Sequence, residues 1–139
     1  MTLRYLLDTN VVSAPFKTKP PQALLERLDA CTGQCGIGVP TWHELRYGHA
    51  LLPASSRKEA LGRYLHEVVL PSFPILLYDR TAAEWHAQQR ARLRVRGQEP
   101  PVLDGMIAAI AAANDLVMVT NNVQDFSGFM GLSVENWLA

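Results

Sequence analysis

The run Arg4-Tyr5-Leu6-Leu7 stops abruptly on Asp8-Thr9-Asn10, and this junction constrains the fold more than any other stretch of the chain. A short apolar run closed by polar residues reads as a buried strand. Asp8 stands where that strand ends and a helix can begin, with Thr9 and Asn10 offering N-cap side chains. The pattern then recurs. Gly36-Ile37-Gly38-Val39 predicts a second strand, followed from Pro40 by a helix through Trp42, Glu44, Leu45 and Tyr47 with Gly48 near its end. Pro74-Ile75-Leu76-Leu77-Tyr78 predicts a third strand, followed by a long amphipathic helix from Thr81 to near Gly97. Leu116-Val117-Met118-Val119 and Leu132-Ser133-Val134-Glu135 predict the fourth and fifth, with Thr120 to Phe126 a loop and turn.

Helical spacing fills the intervals. Asn10 to Phe16 predicts a short helix, and Pro21 to about Cys31 a second. Ser55-Ser56, with Glu59 three residues after Ser56, reads as a capping box. The helix it opens should face inward with Leu61, Tyr64, Leu65, Val68 and Val69. Asp104 to Asn114 is mostly Ala, Ile and Met, apolar enough to lie buried against a sheet. Strands alternating with helices specify an α/β domain whose mostly parallel sheet, of four to five strands, is covered on both faces. With no linker or repeat in view, residues 1–139 are expected to form one domain.

Thirteen basic and thirteen acidic residues balance, so nucleic-acid binding would require a local patch rather than a polycationic surface. No apolar run approaches the roughly 20 residues of a membrane span. The chain enters a strand at once, with no room for a signal peptide, so a soluble cytoplasmic protein is expected. Cys31 and Cys35 are too few for a disulfide scaffold or a Cys₄ zinc site, and are expected to be buried or half-buried thiols.

The polar residues that close the strands carry the chemistry. Asp8 follows strand one, Glu44 lies one turn into the helix after strand two, Asp104 opens the helix before strand four, and Asn122 and Asp125 follow strand four. In a parallel sheet these positions share one edge, where sites are built. Converging carboxylates repel unless a cation neutralises them, and oxygen donors favour Mg²⁺ or Mn²⁺ over zinc. Such a site activates water and steadies the charge of a displaced phosphate. Each residue also has a plainer reading. Asp8 and Asp104 could simply start helices, Glu44 could be a solvated helix residue paired with an Arg, and Asp125 is expected on a surface turn.

Arg90, Arg92, Arg94 and Arg96 form the densest basic run, Arg90 and Arg94 on one helix face and Arg92 and Arg96 on another. They read either as a phosphate-contacting rim or as a solvated helix end. His43-Glu44 does not make a zinc-protease motif, since Tyr47 stands where the second His belongs. Trp42, Tyr47, Trp85 and Trp137 are expected in the core or an interface.

The strings Leu6-Leu7-Asp8-Thr9-Asn10-Val11-Val12-Ser13, Trp42-His43-Glu44-Leu45-Arg46-Tyr47-Gly48, Asp104-Gly105-Met106-Ile107-Ala108-Ala109 and Val119-Thr120-Asn121-Asn122 occur in this order, with Phe126 and a closing Leu132-Ser133-Val134-Glu135-Asn136-Trp137. Together they resemble the PIN-domain ribonucleases, and among them the VapC-type toxins of bacterial toxin–antitoxin pairs. The resemblance covers nearly the whole chain and implies a three-layer α/β/α fold. It implies that Asp8, Glu44 and Asp104 bind Mg²⁺ or Mn²⁺, with Asn10 and Thr120 supporting them through hydrogen bonds. A fourth acid is common in the family two residues after the threonine that follows strand four. Here that position is Asn122, which can bind a metal or orient a water but carries no charge. Asp125 could compensate from the same loop. The resemblance further implies RNA hydrolysis, a homodimer, inhibition by a cognate VapB-like antitoxin, and operator DNA bound only through that antitoxin, with no membrane partner. Antitoxin carboxylates are then a further use for the arginine run. A second reading is a catalytically weak PIN module acting mainly within a repressor complex. A phosphatase with an aspartate nucleophile at Asp8 ranks third, because Asn10 stands where a second Asp is wanted and Lys17, Lys19 and Lys58 all lie early.

Overall fold

A computed structural model describes residues 2–138. Five parallel strands form one sheet in the order β3-β2-β1-β4-β5. They are β1 (Tyr5–Leu7), β2 (Cys35–Gly38), β3 (Ile75–Leu76), β4 (Val117–Val119) and β5 (Val134–Glu135). The central strand β1 pairs Tyr5 with Cys35 of β2 on one side, and with Val117 of β4 on the other. The helices are α1 (Thr9–Ser13), α2 (Gln22–Ala30), α3 (Val39–Leu51), α4 (Ser56–Tyr64), α5 (Leu70–Ser72), α6 (Arg80–Val95), α7 (Val102–Ala113) and α8 (Val123–Phe126). A 3₁₀ turn (Ala14–Phe16) extends α1, and a π turn (Leu65–Val69) joins α4 to α5.

The pleat of β1 explains the three layers. Tyr5 and Leu7 join a core with Val11, Leu24, Ile37, Leu65 and Trp137, whereas Leu6 faces a second core with Ile107, Ile110, Met118 and Phe126. Successive side chains of a strand point to opposite faces, so one apolar strand feeds both cores. Leu6 and Leu7 are wholly buried, each stabilising the fold by about 2 kcal/mol on area grounds. Gly38 lets α7 approach the sheet, since a Cβ there would lie 2.9 Å from Ile110 Cδ1. Trp137 and Tyr5 meet edge to face with ring centroids 4.8 Å apart, and the Arg27 guanidinium lies over the Trp137 ring at 4.8 Å.

Several expectations needed correction. Ser55, not Ser56, caps α4: its Oγ accepts from Lys58 N at 3.1 Å. The π turn rotates the face that follows, so Leu65 and Val69 are buried while Val68 is exposed. The aromatic residues expected in the core or an interface divide: Trp137 is buried, Trp42 and Trp85 pack against the two cores, and Tyr47 lies outside both at 60 % exposure. Residues 123–126 form the short helix α8 rather than a loop. Both cysteines are buried free thiols, and burial pushes Cys35 up to about 12, which makes it inert. Among the described residues, no helix is long and apolar enough to cross a membrane.

Candidate active site

Asp8 is both a helix cap and the centre of a polar network, so the two readings of it are compatible. Its extended backbone ends β1, and its Oδ1 accepts from Thr9 N at 2.8 Å as the N-cap of α1. Its Oδ2 accepts from the Thr120 hydroxyl at 2.8 Å and from Asn10 Nδ2 at 3.0 Å. Thr120 stands at the end of β4, beside β1, so the parallel pairing brings the two residues together from 112 positions apart. Asn10 closes the ring by accepting from Asn121 N at 3.2 Å, and Thr120 Oγ1 accepts from Asn122 N at 3.0 Å. Asp8 is only 6 % exposed. Burial raises its pKa, and the Glu44 charge adds to that, against the lowering by the donors from Thr120, Thr9 and Asn10.

Glu44 reaches the same edge from α3. Its Oε1 accepts from the Thr9 hydroxyl at 2.7 Å, a link across α1 and α3 rather than a pairing with an arginine. Thr9 is thus a site residue that sequence reasoning had placed only as a possible cap.

Asp104 behaves differently. It is the third residue of α7, not its first, and it caps nothing: the N-cap position is Pro101, which offers no side-chain cap bond. No donor among the described residues bonds its carboxylate. Burial comes first in pushing Asp104 up to about 6, followed by the charges of Asp8, Asp125 and Glu44. Four acids from four elements therefore share one electrostatic field at the carboxyl edge of the sheet. Asp125 was expected on the surface, and it is exposed, yet α8 brings it within reach of Asp104. Asn122 is exposed at the N-cap of α8, and its side chain forms no cap bond. Its contact with the network is through its backbone N–H.

The donor set consists of carboxylate oxygens, with free lone pairs on Asp8 Oδ1, Glu44 and Asp104. These hard donors are of the kind that suits Mg²⁺ or Mn²⁺. Burial first, then the charges of Asp8, Asp125 and Glu44, raise the Asp104 carboxyl, and a cation would offset the charge part of that cost. Among the described residues, no three acidic, His or Cys side chains are drawn together at ligation distance. The acids act on one another at electrostatic range, a weaker arrangement than a closed shell.

A PIN-domain family model matches residues 5–127. The chain belongs to the PIN-domain family. Within it, the chain is of the VapC type. It is 35 % identical over 134 residues to the plasmid stability protein StbB of Pseudomonas syringae pv. tomato, covering 94 % of this chain and 96 % of that one. It is 34 % identical over 135 residues to the tRNA(fMet)-specific endonuclease VapC of Salmonella typhimurium, covering 97 % and 98 %. The crystal structure of DNA-bound VapBC from Salmonella typhimurium superposes with a TM-score of 0.83 at 31 % identity, covering 97 % and 98 %.

In this PIN domain the four arginines do not form one surface. Arg90 and Arg94 both pair with Glu99, at 3.2 Å and 3.9 Å. Arg92 donates to Gly128 O at 2.6 Å and to Gln89 Oε1 at 2.7 Å, tying α6 to the segment after α8. Arg96 is exposed at the C-cap of α6. A groove is lined by Val39, His43, Leu77, Tyr78, Leu103 and Met106, of which His43 and Leu103 adjoin Glu44 and Asp104 in the chain.

Proposed function

We propose that this PIN domain is a metal-dependent endoribonuclease, the toxin of a VapBC-type pair. The observation that carries the reading is the convergence of Asp8, Glu44 and Asp104, with Asp104 pushed up to about 6 by burial and by the surrounding acids. Asp8 and Glu44 present oriented oxygens, the first held by three donors and the second by the Thr9 hydroxyl. Asp104 supplies the third carboxylate from α7. A divalent ion, Mg²⁺ or Mn²⁺, held by these three would supply charge neutralisation and water activation for phosphodiester hydrolysis. Asn10 and Thr120 keep Asp8 in place, a role supporting residues commonly play around metal ligands. Asn122 contributes through its backbone to Thr120, and Asp125 adds the charge that position 122 lacks.

Likeness to a named tRNA endonuclease supports RNA as the substrate, and likeness to a DNA-bound toxin–antitoxin complex supports the partners. On this reading the chain acts in the cytoplasm as a homodimer, is inhibited by a VapB-like antitoxin, and meets operator DNA only through it.

The test is induction of the chain in a bacterium lacking the antitoxin, with RNA 5′ ends mapped, beside an Asp104→Asn variant. New ends at a few RNA sites, at least about 100-fold fewer in the variant, are the expected result. Growth arrest without new ends would point to another activity. Neither arrest nor cleavage from abundant folded protein would defeat the toxin reading and favour a binding module within a repressor complex.

A further inference from the structure

Asp104 has no hydrogen bond among the described residues to fix it, so its position depends on where the first turn of α7 sits. That turn begins at Pro101 without a side-chain cap, and its first two residues, Val102 and Leu103, are exposed. The first buried residue of the helix is Gly105, the neighbour of Asp104. Gly105 is seated on the imidazole of His86 from α6. A Cβ added there would overlap His86 Nε2 and lie 2.8 Å from Cδ2 and 3.1 Å from Cε1. Ordinary contacts of a Cβ are 3.4 Å or more, so only glycine permits this approach.

The imidazole is itself held. His86 is 5 % exposed, and its Nδ1 is hydrogen-bonded to the Tyr78 hydroxyl at 2.8 Å, the rings edge to face at 83°. Tyr78 follows β3, so a chain of contacts runs from that edge strand through α6 to the turn carrying Asp104. Exposed surface positions tolerate rotation of a side chain, whereas a ring fixed by a bond and by packing transmits its position.

We infer that His86, held by Tyr78 and seated on Gly105, is a positioning residue that sets Asp104 against Asp8 and Glu44. The inference rests on the nuclease reading for its functional consequence. His86 acts through packing and does not touch the reacting atoms. A shift of α7 by even about 1 Å at this point would move Asp104 relative to Asp8 and Glu44, and misplacement on that scale carries a large kinetic penalty.

The experiment compares wild type, Gly105→Ala, His86→Ala and the double variant, with Mn²⁺ affinity measured by titration and RNA cleavage resolved into kcat and KM. Each single variant is expected to lose roughly 10-fold or more in Mn²⁺ affinity and in kcat, with KM for RNA within about twofold. In the double variant the alanine methyl occupies space vacated by the imidazole, and affinity should recover to within about threefold of wild type. Wild-type affinity and kcat in Gly105→Ala would overturn the inference, as would losses in the double variant that simply multiply. Where a single variant does not fold, Tyr78→Phe replaces it: the ring stays, the bond to His86 goes, and a roughly threefold fall in Mn²⁺ affinity is expected. Unchanged affinity in Tyr78→Phe would then overturn it. A wild type that binds Mn²⁺ but cleaves no RNA defeats the nuclease reading, while the Mn²⁺ series still decides the placement of Asp104.

Discussion

Asp8 and Asp104 belong to one acidic cluster but are held in opposite ways. Asp8 sits at the end of the central strand and accepts bonds from Thr9, Asn10 and Thr120. Asp104 lies in an uncapped first helical turn, and its raised carboxyl reflects burial and three neighbouring acids. Hydrogen bonds to a carboxylate favour its charged form, and desolvation beside like charges disfavours it. Burial raises both carboxyls; three hydrogen bonds offset part of that at Asp8 and none does at Asp104. The cluster therefore pairs a preorganised acid with an unanchored one, and the charge of both is costly until a cation arrives. In the first case position is set by hydrogen bonds, in the second by packing.

The contrast is broken most sharply at Thr120. Thr120→Val keeps the shape but removes the hydroxyl that donates to Asp8, leaving a buried acceptor short of a partner. Mn²⁺ affinity and cleavage rate should fall by roughly 10- to 100-fold, measured by titration and single-turnover kinetics.

Asp104→Asn should trade function for stability. The folded pKa is raised above the unfolded value, so folding favours the protonated form, and stability falls as pH rises from about 4 through about 6. Above that window the wild type carries the full penalty. The variant should therefore unfold about 3 °C higher at pH 7, equivalent to about 1 kcal/mol after screening, and the gap should close below pH 4. Thermal unfolding in chelator across that range checks the sign, and added Mn²⁺ should raise the wild type alone.

Asp125→Asn removes one of the charges acting on Asp104, and the Asp104 carboxyl should titrate closer to its ordinary range in a pH series followed by NMR. Metal affinity should drop by roughly threefold, since one long-range charge is lost and no bonded ligand. The smallest effect belongs to Asn122→Ala, with cleavage within about twofold of wild type, because the backbone N–H to Thr120 remains. A large loss there would move the fourth position of the site from Asp125 back to Asn122.

Much of the fold was legible because strand and helix periods are local properties. The strings Tyr5-Leu6-Leu7 and Val117-Met118-Val119 read as buried strands, and polar residues closing them mark one edge of a parallel sheet. Helix starts were less legible: Ser55 and Ser56 are chemically alike, and α7 begins at Val102, after the N-cap Pro101 and two residues before the acid expected to open it. The exposed face around Val68 was misplaced because a π turn breaks the 3.6-residue period on which the inner-face assignment depended.

The sequence by itself determined the fold class and brought Asp8, Glu44 and Asp104 to the same edge, because each follows directly from chain order in a parallel α/β sheet. Only the tertiary structure decided how they are held. The Thr9 bond to Glu44, the Thr120 bond to Asp8, the reach of Asp125 to Asp104 and the seat of Gly105 on His86 all join elements distant in the chain. Such contacts depend on the angles and separations at which helices pack on the sheet, and no local period of residues encodes those.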